Sequence, residues 1–462
     1  MNEWQVVVVG AGNAGLCAGM AALQAGARSV AVLEAAPKET RGGNSSLTKS
    51  MRFPWPDSRY ISALLRGPHD HRVDELLAGR SRYTEQEYFD DWLRVSGSRV
   101  DTALVESIVR RSSETVRWMS ESGQRWVPRS DPLPGDFPVV LDGGGQGLQG
   151  RNFACFERLG GTVLYQSAVT DIEVADPGRY VLRGAGPAFP IICDALVLAS
   201  GGFEADARMR ARHLGEQWRE VKLRGVPFNK GAPLAAATAL GADTAGNWER
   251  CHVTPQGVHL PDHLLPGQMH LSHGLARYAF PRGIVVNRDG RRFFDESSEY
   301  SSLAYVTLGQ RIMDQPGKIV YQIFDNRVIE AGVLPKGYLT DPASVVAPSL
   351  EDGARRLSLD AANLVNEVRL LAGEKRLDDP PFLFVPAVAG LTFTYGGLAV
   401  NVNAEVLGGG EPIDGLYAAG VIVGGLYDEG YPAGTALMAG SVLGRRAGTS
   451  AARHSLGVRG AA

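Results

Sequence analysis

The sequence predicts an α/β protein in which a Rossmann-like nucleotide-binding fold is interrupted by a long insertion. Three observations carry this. Residues 6–34 read VVVVGAGNAGLCAGMAALQAGARSVAVLE: an apolar strand, a glycine-rich turn, an Ala/Leu-rich helix and a second apolar run ending on Glu34. A further buried strand runs into a diglycine at ALVLASGG (195–202). After a long, less regular stretch, a glycine-rich strand–helix unit, GLYAAG…GYPAGTALMAGSVLGRRAG (415–448), closes the pattern.

Each part of the opening unit has a physical reason. Gly10 permits the tight turn, Gly12 lets a pyrophosphate approach the backbone, and Gly15 lets the helix pack on the strand. The helix N-terminus offers free N–H groups and a positive dipole end to phosphates. Glu34 stands nineteen positions beyond Gly15, where an acid accepts hydrogen bonds from an adenosine ribose. A glycine-rich turn alone is weak evidence. With both strands, the helix and the acid in place, the unit specifies dinucleotide binding.

Residues 37–60 are Gly-, Ser- and Pro-rich and contain RGGNSSLTKS. Residues 74–122 place Leu76, Leu77, Tyr88, Trp92, Leu93, Val105, Ile108, Val109, Val116 and Trp118 at helical spacing, so a helical subregion is expected. Residues 128–138 hold four prolines and read as loop. Residues 162–182 alternate like strands. GGGQGLQG (143–150) has the composition of a second nucleotide loop. It follows a proline-rich loop, however, and the next strand ends at Gln166 without an acid, so no separate nicotinamide domain is expected. From 385 onward strands and glycines return, ending in an Ala/Gly/Leu helix. The expected division is 1–204 and 385–462 as two parts of one nucleotide-binding domain, with 205–384 as the insertion.

A chain of 462 residues exceeds the usual single core, so two domains are expected. Its 44% hydrophobic and 21% charged content is that of a globular protein. A net charge of −3 gives no general attraction to nucleic acid or anionic membrane. Cys17, Cys155, Cys193 and Cys251 are far apart without CxxC spacing, which points to a reducing compartment rather than a disulfide framework or a zinc site. No apolar run has the length of a membrane span, and the start lacks the basic, apolar pattern of a signal peptide. A cytoplasmic enzyme is expected.

Four motifs together resemble the fumarate reductase/succinate dehydrogenase flavoprotein family, which binds FAD. They are GAGNAG with Glu34, RGGNSS (41–46), ALVLASGGFEAD (195–206), and GLYAAG…GYPAGTALMAGSVLGRRAG (415–448). GIVVNRDGRRFFDESSEY (283–300) is similar to that family's cap signature. GGNS, RFFDE before a long helix, QPGKIVYQIFDNRV (315–328) and LTFTYGG (391–397) are most similar to the tricarballylate dehydrogenase type. The resemblance implies that the insertion is an α+β capping domain that meets the substrate.

It also implies a cofactor placement. Gly10, Gly12, Gly15 and Glu34 would hold the ADP half, joined by Asn13, Ala14 and Ala35. Gly42, Gly43, Asn44 and Ser45 would line the pyrophosphate and flavin edge, with Thr48 and Lys49 beyond them. Ala168 or Val169 would meet the adenine through backbone groups. Ala199, Gly201, Gly202 and Gly420 belong to the same cradle. Gly434, Thr435, Ala436 and Leu437, opening the last helix, would aim N–H groups at the flavin pyrimidine. Two departures stand out. Val421 occupies a position where the family often has an acid for the ribitol. The loop GGNSSLTKS lacks the histidine that carries covalent flavin, so non-covalent FAD is expected.

The family's chemistry is desaturation of a CH–CH unit beside a carbonyl or carboxylate, or the reverse, with hydride exchanged at flavin N5. It needs a base and a stabiliser of developing negative charge. Tyr300 stands where fumarate reductases carry their proton-donating arginine. Their clamping histidine falls near Thr392 or Phe393, and their late arginine at Tyr431. These losses argue against a working fumarate reductase and leave tyrosines where cations stood. Tyr300, Tyr395 and Tyr431 are the candidate bases; packing aromatics with satisfied hydroxyls are the rival reading. His252 is a candidate for binding a substrate carboxylate or carbonyl. Arg292 is a candidate substrate contact, with a structural pair to Asp295 or Glu296 as rival. Arg277 and Arg282 are candidates for an acidic substrate, and Lys49 and Arg52 for phosphate or substrate. His259, His263, His270 and His273 lack regular acid or cysteine partners, so no metal site is expected. The expected partners are a small-molecule substrate and an electron acceptor, either a protein or a quinone. An enoate reductase fed by an electron partner and a non-catalytic electron-transfer flavoprotein are the alternatives.

Overall fold

The computed structural model describes residues 2–65, 77, 82–129, 138–296, 302–371 and 377–460. The chain opens as the sequence predicts. Strand β1 (Asn2–Val9) leads into helix α1 (Asn13–Gln24) and strand β2 (Val30–Leu33). β1 and β2 pair in parallel with Val6 opposite Val30. Residues 58–64 form a short helix, followed by α2 (Glu85–Ser96) and α3 (Thr102–Glu121). The start of α2 is fixed by a capping box between Thr84 and Glu87. A small hairpin of β3 (Trp126–Pro128) and β4 (Val139–Leu141) precedes α4 (Gly144–Arg158).

β5 (Thr162–Leu164), β6 (Ala168–Asp176), β7 (Arg179–Ala185) and β8 (Ile191–Leu198) complete the first part. β8 lies on the other side of β1, parallel, with Val6 opposite Ala195. Its near-continuous buried run of Ala195, Leu196, Val197 and Leu198 suits a strand covered on both faces.

The insertion builds a second sheet. It contains β9 (Lys222–Leu223), β11 (Cys251–Gly257), β12 (Ile284–Val286), β13 (Ile319–Phe324), β14 (Val345–Ala347) and β15 (Phe382–Thr394). Helix α5 (Ser302–Ile312) packs beside β11. A two-strand pair, β10 (Thr244–Ala245) with β16 (Gly397–Leu398), bridges the insertion to the returning chain. β15 runs unbroken through 384 and 385 to Thr394, pairing with β11 along its second half. The expected division at 384/385 therefore falls inside a strand of the second sheet.

The returning chain rejoins the first sheet. β17 (Glu405–Gly408) and β18 (Glu411–Ala418) form a hairpin, and β18 lies parallel to β8 with Tyr417 opposite Val197. The order is β17–β18–β8–β1–β2–β5. The last helix, α6 (Thr435–Gly460), packs along α1. Small residues make this approach possible. A Cβ at Gly444 would lie 2.3 Å from the Ala14 carbonyl, and one at Gly448 2.0 Å from that of Ala18.

Candidate active site

A cavity of about 1080 Å³ runs from the tip of β2, past the β1–α1 turn, to the face of the second sheet. Its nucleotide end is built by glycine geometry. Gly10 has φ +104, and a Cβ there would sit 2.4 Å from the Ala199 carbonyl. A Cβ at Gly15 would lie 1.9 Å from the Gly10 carbonyl. These two glycines bring turn, helix and neighbouring strand into contact. A Cβ at Gly12 would meet nothing nearer than Ser45 Oγ at 3.6 Å, so that backbone faces the cavity. The Asn13 N–H donates to Ser45 Oγ at 3.0 Å, and the Asn13 amide donates to the Leu437 carbonyl at 3.0 Å. One side chain thus ties the first helix to the last.

Glu34 is buried on the cavity wall and accepts from the Ala36 N–H at 2.9 Å. Burial pushes its carboxyl upward, opposed by backbone N–H groups of Ala36 and Gly42. The wall also includes Ala35, Gly43, Asn44, Thr48, Lys49, Ala168, Val169, Ala199, Gly201, Gly420, Gly434 and Ala436. An acid at one end, exposed glycine backbone in the middle and a helix N-terminus beyond form a donor set that fits FAD. Four expected contacts are absent from the wall and act from behind it. Gly15 is the packing glycine above. A Cβ at Gly42 would meet Ser46 Oγ at 2.5 Å, and one at Gly202 would meet Thr394 Oγ1 at 2.3 Å. The Thr435 hydroxyl is spent on Tyr427 at 3.0 Å and the Pro432 carbonyl at 2.7 Å.

GGGQGLQG proves to be a buttress. It opens α4, a Cβ at Gly145 would lie 2.0 Å from the Ser45 carbonyl, and the Gln149 amide donates to the Gly42 carbonyl at 2.8 Å. Its glycines let a helix press against the GGNSS loop.

At the other end stand His252, Tyr278, Tyr305, Phe393 and Tyr431, with Arg224 and Arg282 among them. His252 lies on β11 beside a β-bulge, where the register with β15 shifts between His252 and Val253. Its ring centroid is 4.6 Å from that of Tyr431 and 5.0 Å from that of Phe393. It is 4% exposed, and its Nδ1 has no hydrogen-bond partner among the described residues. Burial, seconded by the Arg224 charge, holds its imidazole well below the usual value, so it is neutral at pH 7. The Tyr431 hydroxyl accepts the Gly434 N–H at 2.9 Å, which leaves its own proton directed elsewhere. Burial raises its phenol, while the Gly434 and Ala436 N–H groups, Arg52 and Arg224 pull it back.

Several expected candidates do not reach the cavity. Tyr395 is 2% exposed, packs against Phe393 and Tyr427, and does not line the wall. Burial also drives its phenol well above the ordinary value. Arg292 pairs with Glu296, whose other oxygen accepts the Val285 N–H at 2.6 Å, so it is a structural residue of the insertion. Arg277 is wholly buried and paired with Asp341. Arg52 faces away from the cavity, whereas Lys49 lines it. Tyr300 lies outside the described residues. His273 lines the cavity, His259 sits 3.5 Å from Asp341, and among the described residues no cluster of metal ligands occurs.

Sequence reasoning missed Arg224, Tyr278, Tyr305 and Glu204. Glu204 is fully buried; its Oε1 accepts from Asn44 at 3.0 Å and Asn229 at 2.7 Å. Its Oε2 has no partner among the described residues. Burial pushes its carboxyl up to about 7. In GGFEAD it is the first acid after the diglycine, and its place beside a buried strand is the signal the sequence offers.

The fold and site define a flavoprotein. Residues 73–436 match the family described as FAD binding domain, and the chain belongs to that family. It is 25% identical to a probable fumarate reductase of Shewanella frigidimarina, over 98% of this chain and 75% of the relative. It is 28% identical to 4-oxocyclohexanecarboxylate 2-dehydrogenase of Sinomonas cyclohexanicum, over 57% of this chain and 52% of the relative. The open conformation of a flavocytochrome c3 fumarate reductase has the same fold, with a TM-score of 0.75 at 23% identity, covering 98% of this chain and 79% of that one. The chain is an FAD-dependent oxidoreductase acting on CH–CH groups. No helix among the described residues is long and apolar enough to cross a membrane.

Proposed function

We propose that this protein desaturates a CH–CH bond adjacent to a ketone or carboxylate of a small acid, of the tricarballylate-like or cyclic keto-acid type. The observation that carries the proposal is the meeting of Tyr431, His252 and Arg224 in the cavity that also holds the nucleotide glycines. FAD, held non-covalently, supplies the two-electron acceptor for the hydride. Gly10, Gly12, Asn13, Glu34, Ser45 and the first turn of α6 would hold it from the side of the first sheet. His252 on β11 and Tyr305 on α5 line the opposite side and would keep water from the reacting carbons.

Tyr431 is the proton acceptor. The Gly434 N–H donates to its oxygen at 2.9 Å, and the charges of Arg52 and Arg224 draw its phenol down against the burial that raises it. Neutral His252 donates or accepts one hydrogen bond to the substrate, and Arg224 balances the negative charge that develops on the carbonyl or carboxylate. The test is anaerobic bleaching of the yellow flavin with a panel of polycarboxylates and cyclic keto acids. At least one should bleach it, and Tyr431→Phe should keep the flavin while losing bleaching by about 100-fold or more. Undiminished bleaching in the variant would remove Tyr431 from the chemistry.

A second reading runs the reaction backwards as an enoate reductase fed by a protein or quinone. It is favoured by the raised Tyr431 phenol, which is a proton donor at neutral pH. Rapid reoxidation of the reduced enzyme by fumarate-like acceptors, with no substrate bleaching, would select it.

A further inference from the structure

The turn that opens α6 is anchored from behind the cavity by a residue the chemistry above does not use directly. Arg52 is 8% exposed. Its backbone N–H donates to the Gly434 carbonyl at 3.0 Å, and its Nε donates to the Ala433 carbonyl at 3.0 Å. Nη1 donates to the Tyr83 hydroxyl at 3.1 Å and lies 3.5 Å from Asp91. The Tyr83 hydroxyl donates onward to Asp91 at 2.8 Å, and Arg94 reaches the other Asp91 oxygen at 2.6 Å. The Tyr88 hydroxyl donates to the Arg52 carbonyl at 3.2 Å.

The close approach is built into the backbone. Gly434 has φ +85, and a Cβ there would lie 2.7 Å from the Arg52 nitrogen. Only glycine lets the two strands of chain touch. The other side of the same turn, through Ala433, Gly434, Ala436 and Leu437, faces the cavity. The buried guanidinium therefore stands one peptide group behind the wall.

We propose that Arg52 is a positioning residue for the cofactor: it fixes the Ala433–Gly434 turn against the flavin, and its charge favours two-electron reduction of bound FAD. This rests on the reading of that wall as the flavin's pyrimidine side. A hydride brings two electrons and one proton, so the ring gains one negative charge. A fixed cation in a poorly solvated setting stabilises that charge. Asp91, half withdrawn from water, partly offsets it.

The test is the midpoint potential of FAD-loaded protein, measured by slow reduction against reference dyes. Arg52→Gln should lower the equilibrium constant for reduction by about tenfold or more, each tenfold being about 30 mV for two electrons. Arg52→Lys should retain most of the native potential. Asp91→Asn should shift the potential upward, because it removes the offsetting charge; a purely structural role predicts no such opposite movement. If Arg52→Gln does not fold, the direction of the Asp91→Asn shift decides. Unchanged or lowered potential in Asp91→Asn, or native potential in a flavin-bound Arg52→Gln, overturns the inference alone. Failure of the native protein to hold FAD overturns the reading of the cavity as well.

Discussion

Glu204 makes the stability of this protein depend on pH in a way that can be isolated. Its carboxyl is displaced from an ordinary 4.5 to about 7, with burial as the main cause. Ionising it inside the fold therefore costs about 3 kcal/mol more than ionising it in the unfolded chain. Because the folded value is raised, the folded state binds the extra proton between pH 4.5 and 7, and stability falls across that window as pH rises. Above pH 7 the full cost is present. Glu204→Gln keeps an oxygen for the Asn44 and Asn229 amides and abolishes the titration. The variant's own offset from the added amide is the same at every pH. The quantity to follow is the difference in melting temperature between variant and native protein, at one saturating FAD concentration, from pH 5 to pH 8. With about 2.1 cal/mol/K of unfolding entropy per residue, about 3 kcal/mol corresponds to roughly 3 °C for this chain. The difference should move by that amount in the variant's favour as pH rises. A difference that stays flat would show that the Glu204 carboxyl is not penalised by burial.

Other outcomes follow from the same geometry. Arg292→Met strands the Glu296 carboxylate, which is wholly buried, and should cost about 3 kcal/mol by melting while leaving substrate affinity unchanged; weakened substrate binding with native stability would reinstate Arg292 as a contact. Gly15→Ala forces a Cβ to within 1.9 Å of the Gly10 carbonyl. That overpacking, about 1–3 kcal/mol, should weaken FAD binding by roughly 5- to 150-fold in a fluorescence titration. Acid precipitation should leave all yellow colour in the supernatant; colour in the pellet would mean a covalent flavin. With Tyr431 as base and its phenol raised, kcat/KM for desaturation should climb about tenfold per pH unit from pH 6 to 9, and a flat profile would exclude a phenolate.

The nucleotide end was legible because its constraints are local and steric. Gly10, Gly12, Gly15 and Glu34 sit at fixed offsets along one strand–turn–helix unit, and the backbone geometry there admits few other residues. The substrate end was less legible because its residues come from distant elements. Arg224 follows a two-residue strand in an irregular stretch, and nothing nearby marks it as facing the same space as His252 and Tyr431. Tyr305 has helical spacing in common with packing residues of α5, and only the fold shows that it borders the cavity. Tyr395 misled for the converse reason. It stands two positions beyond Phe393, which lines the site, but it lies past the end of β15 at Thr394, and its side chain packs on Phe393 and Tyr427 behind the wall. Charged residues of the insertion misled too: Arg277 and Arg292 are committed to Asp341 and Glu296, partners that sequence spacing revealed only for the second.

The packing of α1 against α6 has a consequence for biosynthesis. The first helix emerges from the ribosome some four hundred residues before the segment it must lie against. Until Gly444 and Gly448 arrive to meet the Ala14 and Ala18 carbonyls, the early apolar face has no native cover, and the wall of the cavity that α6 opens is the last to be made.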